Sequence, residues 1–366
     1  MIVISVFLFF CYKKYDKIKV GVYMIKRSIY SLTLKELEDY LVSINDKKFR
    51  ATQIYDWLYI KRIKDFDSMT NLSKSLIEKL KEDFSIFSLK IITKQESDLV
   101  SKYLIELEDN NRVEAVLMNH DYGNSLCIST QVGCNMGCHF CESGRLKKVR
   151  NLDSSEMIMQ ILAIEEASNI RISHIVLMGI GEPFDNYDNF TKFIEIINNP
   201  KGINLGSRHI TVSTCGIVPK IREFSDFPYQ VNLAISLHAP NNFIRDKIMS
   251  INKAYKIEEL IDAIKYYIKK TNRRVTFEYI MLDSVNDSVE CAMELAKLLK
   301  GMNCYVNLIP YNETENIGFK RSPKEQIMKF YDILKKEKIE VTIRKEFGGK
   351  IDAACGQLRA KKEGNL

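Results

Sequence analysis

Ser125-Leu-Cys-Ile-Ser-Thr-Gln-Val-Gly-Cys134-Asn-Met-Gly-Cys138-His-Phe-Cys141 is the stretch on which the reading of this chain turns. Residues 125–130 have the apolar and β-branched content of a strand, and a loop carrying three cysteines follows directly. Three thiolates leave a tetrahedral zinc site one ligand short and do not cap all four irons of a cubane. They hold three irons of a 4Fe–4S cluster and leave the fourth open, where a substrate or cofactor chelates. Zinc would need a fourth ligand, and His139 inside the loop is the nearby candidate. Gly133 and Gly137 permit the tight turn that folds thiolates around a cluster.

Outward from this loop, strand-like runs at 125–130, 174–179, 209–214, 231–236, 275–282 and 305–310 alternate with helical ones. The helices are Ser154–Ser168 behind Asp153, Tyr187–Asn198, Ile257–Lys270, Val289–Lys300, and Pro323–Lys335 behind Ser322. Ser322-Pro-Lys-Glu325 has the spacing of a capping box, with proline at the first helical position. Such alternation predicts a parallel α/β sheet or partial barrel, whose ligands gather at the carboxyl ends of the strands. Met178-Gly-Ile-Gly-Glu-Pro183 falls at one such end; its glycines let backbone approach a ligand, and Glu182 is suited to accept from an ammonium.

Upstream, residues 86–120 read as strands around the turn Asp109-Asn-Asn111, a hairpin-like bridge into the main domain. From 33 to 84 the apolar positions recur at helical spacing, as in Leu34, Leu37 and Leu41, or Leu76, Ile77 and Leu80. This small helical domain carries Lys48-Phe-Arg50 and Lys61-Arg-Ile-Lys64, basic clusters interleaved with aromatics as a nucleic-acid surface needs; a charged outer face on ordinary helices has the same composition. The segment Ile2–Tyr12 is apolar but only eleven residues long, and lysines follow it at 13, 14, 17 and 19. A membrane span needs about 20 such residues, and no small-residue cleavage site follows. Residues 1–23 are therefore expected to be an upstream extension that is not native or a sticky terminal segment.

The 366 residues are 46% hydrophobic and 28% charged, which excludes a disordered or fibrous chain. A formal charge of +7 is compatible with a polyanionic partner or simply a solvated basic surface. Nine cysteines with one tight cluster suit a reducing compartment, so the expected location is cytoplasmic.

The cysteine spacing, with aromatic Phe140 before the last thiol, resembles the radical S-adenosylmethionine (SAM) superfamily signature. In that superfamily the open iron binds the amino and carboxylate groups of SAM, one electron from the cluster cleaves the sulfonium, and the aromatic contacts the adenine. Gly181-Glu182-Pro183 is similar to the element that holds the SAM amino group. Further stretches are Leu126–Cys134, Ala234-Ile-Ser-Leu-His-Ala-Pro240, Glu278-Tyr-Ile-Met-Leu282, Asn307-Leu-Ile-Pro-Tyr-Asn312, Ile351-Asp-Ala-Ala-Cys-Gly-Gln-Leu358 and Lys48–Tyr59. Together they closely resemble the RlmN/Cfr family of RNA adenine methyltransferases over residues 30–360.

That resemblance implies a partial (βα)6 radical SAM barrel, similar to a TIM barrel, over 124–360, with a tail at 361–366. It implies a helical RNA-binding domain over 24–90, and a strand linker over 91–123 that carries Glu114. Cys134, Cys138 and Cys141 would bind one 4Fe–4S cluster; Gly181, Glu182, Ser213, Ser236, Leu237, His238 and Asn312 would line the SAM site. Glu114 would accept a proton, Cys355 would be methylated, and Cys127 would be its disulfide partner. In the family mechanism a first SAM methylates the Cys355 thiolate, the nucleophilic form of cysteine. A second SAM activates the S-methyl group, which adds to the adenine ring. A base removes the ring proton, and Cys127 attacks Cys355 to release the product, leaving a disulfide that external thiols reduce. Two SAM molecules are used per turnover, and the implied partners are 23S rRNA, tRNA and an electron donor such as flavodoxin or ferredoxin, with no membrane and a monomeric enzyme.

Gln131-Val-Gly-Cys134 and Gly181-Glu-Pro183 resemble the branch that methylates carbon 2, at an adenosine of the 2503 type in 23S rRNA and adenosine 37 of some tRNAs. The alternative is the resistance-associated branch that methylates carbon 8, which tends to carry a cysteine where Val132 stands here. Glu142 departs from the small neutral residue expected after the last cluster cysteine, and Arg145-Leu-Lys-Lys148 would offset its charge. Two other readings are a non-methylating radical SAM enzyme and a ribosome-associated protein that keeps the cluster for structure. Mass spectrometry of the native N-terminus is expected to find residues 1–23 missing; their presence on the intact protein would overturn the idea of a mistaken start.

Overall fold

The computed structural model describes residues 26–314 and 317–344, together with a short antiparallel pair, Lys19–Val20 and Tyr23–Met24. Two units fold, residues 1–87 and 88–366.

In the N-terminal unit, helical periodicity buries one stripe of each helix. Helix α1 (Leu34–Ser43) opens on a complete capping box: Glu36 N–H donates to Thr33 Oγ1 at 3.2 Å, and Thr33 N–H to Glu36 Oε2 at 2.8 Å. Leu37 and Leu41 face inward, as do Leu76, Ile77 and Leu80 of α3 (Lys74–Asp83), which Ser73 caps. Helix α2 (Arg50–Tyr55) runs on into a π-turn, Asp56–Ile60. Tyr55 and Tyr59 pack edge to face at 4.9 Å between ring centres, Tyr30 and Tyr59 at 5.5 Å. Both basic clusters reach the surface partly self-paired. Arg50 meets Asp46 at 2.8 Å, Lys61 meets Asp56 at 3.1 Å, and Lys61 Nζ lies 3.6 Å from the centre of the Trp57 ring. Phe49, within the first cluster, is 58% exposed.

The second unit is built on a ten-stranded sheet whose strands lie side by side in chain order. They are β1 (Lys90–Ser97), β2 (Val100–Glu106), β3 (Arg112–His120), β4 (Gly123–Cys127), β5 (His174–Leu177), β6 (Ile210–Thr214), β7 (Asn232–Ser236), β8 (Val275–Met281), β9 (Cys304–Pro310) and β10 (Val341–Ile343). From β4 to β10 every pairing is parallel. The expected bridge is thus a meander, β1 to β3, hydrogen-bonded antiparallel onto β4. The helices between the parallel strands are α4 (Ser154–Ser168), α5 (Tyr187–Asn198), α6 (Val218–Phe224), α7 (Asn242–Ile248) and α8 (Ile257–Thr271), α9 (Val289–Leu299) and α10 (Lys324–Lys336). Among the described residues no helix is long and apolar enough to cross a membrane.

Strand parity separates the two faces of the sheet. Leu126, Ile175, Val212, Leu233, Phe277 and Val306 are buried on one face, continuous apolar positions of the kind a helix-covered parallel sheet demands. The opposite face carries Cys127, Ser213, Ser236, Glu278 and Asn307, so the polar residues collect together.

Three features depart from sequence expectation. Strand β10 is a seventh parallel strand of three residues, too short to stand out by pattern. Helices α6 and α7 have seven residues each, below the length at which periodicity is legible. The capping box at Ser322 is not made: Pro323 is the capping residue, no side chain caps the helix, and Ser322 Oγ is buried without a hydrogen-bond partner. Besides the box at α1, one forms at α4, where Asp153 and Glu156 bond reciprocally and Arg150 grips Glu156 at 2.7 Å.

Gln160 of α4 does for Ser129, two residues past β4, what a neighbouring strand would. Fully buried, it accepts from Ser129 N–H and donates to Ser129 C=O, both at 3.0 Å. Gln160→Leu strands both backbone groups in an apolar setting and is expected to cost roughly 2–5 kcal/mol, read as a lower urea midpoint with unchanged slope.

Candidate active site

The cysteine loop leaves β4 and is fastened on two sides. On one, Val132 pairs with Arg150 and Cys134 N–H donates to Leu146 C=O at 2.9 Å. On the other, His139 N–H donates to Ile248 C=O at 2.9 Å, Cys138 bridges Met249, and Ser250 Oγ donates to Gly137 C=O at 3.0 Å. Gly133 has φ +77°, and a Cβ there would lie 2.1 Å from Lys147 C=O, so the turn admits glycine alone. Burial pushes the Cys134 thiol up to about 12 and the Cys138 thiol well above its ordinary value, with Glu182 and the neighbouring thiols adding repulsion. Thiols so placed ionise only against a strong positive charge, which an iron–sulfur core provides. Among the described residues no three His, Cys, Asp or Glu side chains converge where one metal ion could hold them. The His139 ring is turned aside, Nδ1 lying 2.7 Å from Lys247 C=O. Three thiols on one loop, with the His139 ring engaged elsewhere, fit a 4Fe–4S cluster that leaves one iron open.

The remaining expected residues lie at neighbouring strand ends. Gly181 follows β5 with φ +109°, and a Cβ there would meet Gln131 Cβ at 2.6 Å. Glu182 N–H donates to Gln131 Oε1 at 2.9 Å, while the Glu182 carboxyl accepts from Phe184 N–H at 3.0 Å and Cys215 N–H at 2.8 Å. Burial raises this carboxyl despite the two amides, and among the described residues no cation lies within ion-pair distance, so an arriving ammonium would find an uncompensated partner. Ser213 is the penultimate residue of β6 and Ser236 ends β7, their Oγ atoms 3.4 Å apart. Leu237 and His238 follow directly; Asn312 is exposed in the loop after β9. His238 adopts φ +58° and its Nδ1 accepts from Ile280 N–H at 3.0 Å, which leaves Nε2 as the protonated ring nitrogen. Phe140 stands edge-on to it, 4.9 Å between ring centres.

Cys127 lies on the polar face of β4 against Val100, Val116 and Met118. Glu114 is on β3 on the same face, paired with Lys102 at 3.0 Å. Cys355 lies outside the described residues, so its pairing with Cys127 is not addressed by them. Glu142 is buried, with Arg145 at 3.9 Å; Lys148 goes instead to Asp185 at 2.7 Å, so the expected basic offset comes from Arg145.

Sequence reasoning missed Arg245. Fully buried on α7, it donates to Leu237, Ser236 and Cys215 C=O at 3.1, 3.3 and 2.7 Å and to Asn252 Oδ1 at 3.1 Å. It ties the ends of β6 and β7 together and sets a cation beneath the cysteine loop. The only signal was an arginine between Ile244 and Ile248, within a helix too short to recognise.

Comparison with known proteins places these observations in a family. The family model "Ribosomal RNA large subunit methyltransferase N-terminal domain" matches residues 28–86, and that of the radical SAM superfamily matches 128–299. The chain is 56% identical over 341 residues to a probable dual-specificity RNA methyltransferase RlmN of Spiroplasma citri, covering 92% of this chain and 98% of that protein. To the protein of the same description in Acholeplasma laidlawii it is 55% identical over 334 residues, 91% and 99% of the two chains. Among solved structures, a radical SAM methyltransferase from Sphaerobacter thermophilus superposes with a TM-score of 0.85 at 41% identity, covering 90% of this chain and 98% of that one.

Desolvation holds the folded-state pKa of His238 at about 3, against 6.5 for the free side chain, with Arg245 a secondary cause. Between those values the unfolded chain binds a proton that the folded one refuses, so the stability contributed here falls as pH drops, by about 1.4 kcal/mol per pH unit. In urea titrations between pH 6.5 and 5, wild type is expected to lose stability faster than His238→Gln; parallel curves would contradict this tautomer and burial.

Proposed function

The chain belongs to the RlmN family of radical SAM methyltransferases, and from that premise we propose that it methylates carbon 2 of adenosine in RNA. Its targets on this reading are an adenosine of the 2503 type in 23S rRNA and adenosine 37 of some tRNAs. The observation that carries the reading is the convergence of three chemistries on one end of one sheet: the thiol loop, the buried Glu182 carboxyl, and the face bearing Glu114 and Cys127. The family's curated members are described as dual-specificity RNA methyltransferases, which favours rRNA and tRNA together and the carbon-2 branch over the carbon-8 one.

Cys134, Cys138 and Cys141 would hold one 4Fe–4S cluster. When bound, the cluster supplies the electron that cleaves SAM, a chemistry suited to adenine carbon 2, which is electron-poor and a weak nucleophile. Glu182, already oriented by two amides, receives the SAM ammonium in a site from which water is excluded. Gly181 brings its backbone close; Ser213, Ser236, Leu237 and Asn312 bound the same space. His238 offers a neutral Nε2–H donor. Because its Nδ1 is committed to Ile280 N–H, the ring presents that donor without adding charge beside a sulfonium. Cys355 carries the methyl group as a thioether, Glu114 accepts the ring proton, and Cys127 displaces the product by forming a disulfide with Cys355. Two SAM molecules are consumed, a low-potential donor of the flavodoxin or ferredoxin class supplies the electron, and thiols reset the disulfide. The helical unit with its two basic clusters would hold RNA, in a monomeric cytoplasmic enzyme.

Mass spectrometry of nucleosides from digested RNA tests the assignment. Deleting the gene is expected to abolish 2-methyladenosine in 23S rRNA and tRNA, and persistence at wild-type levels would refute it. Loss of 8-methyladenosine in its place would assign the chain to the other branch.

A further inference from the structure

A lysine buried inside a strand is the least expected residue of the β1–β3 meander. Lys102 is the third of seven residues in β2, its side chain 0% exposed, and its Nζ lies 3.0 Å from Oε2 of Glu114, itself 3% exposed, on β3. Lys102 is in register with Val116, and Val116 with Cys127, so the three form one row across three strands and share one face of the sheet. Glu114 is the next residue on that face of β3, one step toward the carboxyl end of β4. There its backbone is pinned to the site: Ser129 Oγ donates to Glu114 C=O at 2.6 Å and accepts from Ile180 N–H at 3.1 Å, immediately before Gly181 and Glu182.

Removing two charges from water costs more than their attraction usually returns, and an apolar pair of similar volume commonly stabilises a core better. A buried carboxylate without a cation takes up a proton, and the resulting acid no longer accepts one. We propose that Lys102 is the positioning residue for the proton acceptor of the methyl transfer, its ammonium keeping Glu114 an open carboxylate on the face it shares with Cys127. This rests on the reading of Glu114 given above. In the step concerned the ring C–H bond breaks and an O–H bond forms on Glu114, while the electron pair of the C–H bond stays in the nucleobase. Lys102 makes and breaks no covalent bond.

The reconstituted full-length enzyme tests this with RNA deuterated at carbon 2 of the target adenosine. Lys102→Met is expected to slow RNA methylation on the order of 10²-fold and to expose a primary isotope effect, while methylation of Cys355 and SAM cleavage keep their wild-type rates. Lys102→Arg, which retains the charge, is expected to recover most of the rate. A Lys102→Met enzyme at wild-type rate would overturn the proposal, as would one losing Cys355 methylation in step with RNA methylation and without an isotope effect. Full activity in Glu114→Gln would instead remove the reading of Glu114 itself. If Lys102→Met does not fold, the pair Lys102→Met with Glu114→Leu decides. A folded double variant supports charge compensation of Glu114, and an unfolded one makes Lys102 purely structural and overturns the proposal.

Discussion

Side chains alternate across a strand, so the register between neighbours determines which residues share a face, and a slip of one position would exchange the two sets. The second unit depends on this constraint. With Cys127 beside Val176, Thr211 beside Asn232, and Ser236 beside Glu278 beside Asn307, every polar strand residue of the site falls on one face. On the other face Leu126, Ile175, Leu233 and Phe277 are by contrast buried apolar residues. Register is enforced because that second set has no acceptable place in water. The chemistry is positioned by the hydrophobic residues that point away from it.

Much of this was legible from residues alone, and the reasons differ by element. The parallel strands and longer helices announce themselves because one buried face leaves an apolar residue at every second strand position, and helices such as α5 and α8 keep a clean stripe. The cysteine loop and Gly181-Glu182 are legible because thiol number and glycine geometry are local properties of the chain. What escaped was non-local. Arg245 donates to carbonyls of Cys215, Ser236 and Leu237, and Gln160 to Ser129, partners 8 to 31 positions away that no spacing rule connects. Ser322 shows the converse: its local pattern was right for a cap, but the helix begins after Pro323 and the hydroxyl is left buried.

Buried charge is the recurring expense of this architecture. Glu182, Glu278, Arg245, Lys102 and Glu114 are all nearly or fully shielded from solvent. Burial raises the Glu182 and Glu278 carboxyls and lowers both the His238 imidazole and the Arg245 guanidinium, each because the charged form has lost its water. A sheet made for stability alone would not concentrate such groups at one end. Their arrangement is that of a medium already polarised before a ligand enters, so that little reorganisation remains to be done.

The self-paired basic clusters of the N-terminal unit have a consequence for how polyanions would associate with it. Arg50 and Lys61 already hold Asp46 and Asp56, so a phosphate that engages either one exchanges one anion for another and does not neutralise an idle cation. Fewer condensed counterions are then liberated per contact than the number of lysines and arginines suggests. Association should weaken with added salt less steeply than a count of cationic side chains would indicate. Selectivity on this surface would then fall to shape and to stacking on the exposed Phe49 ring.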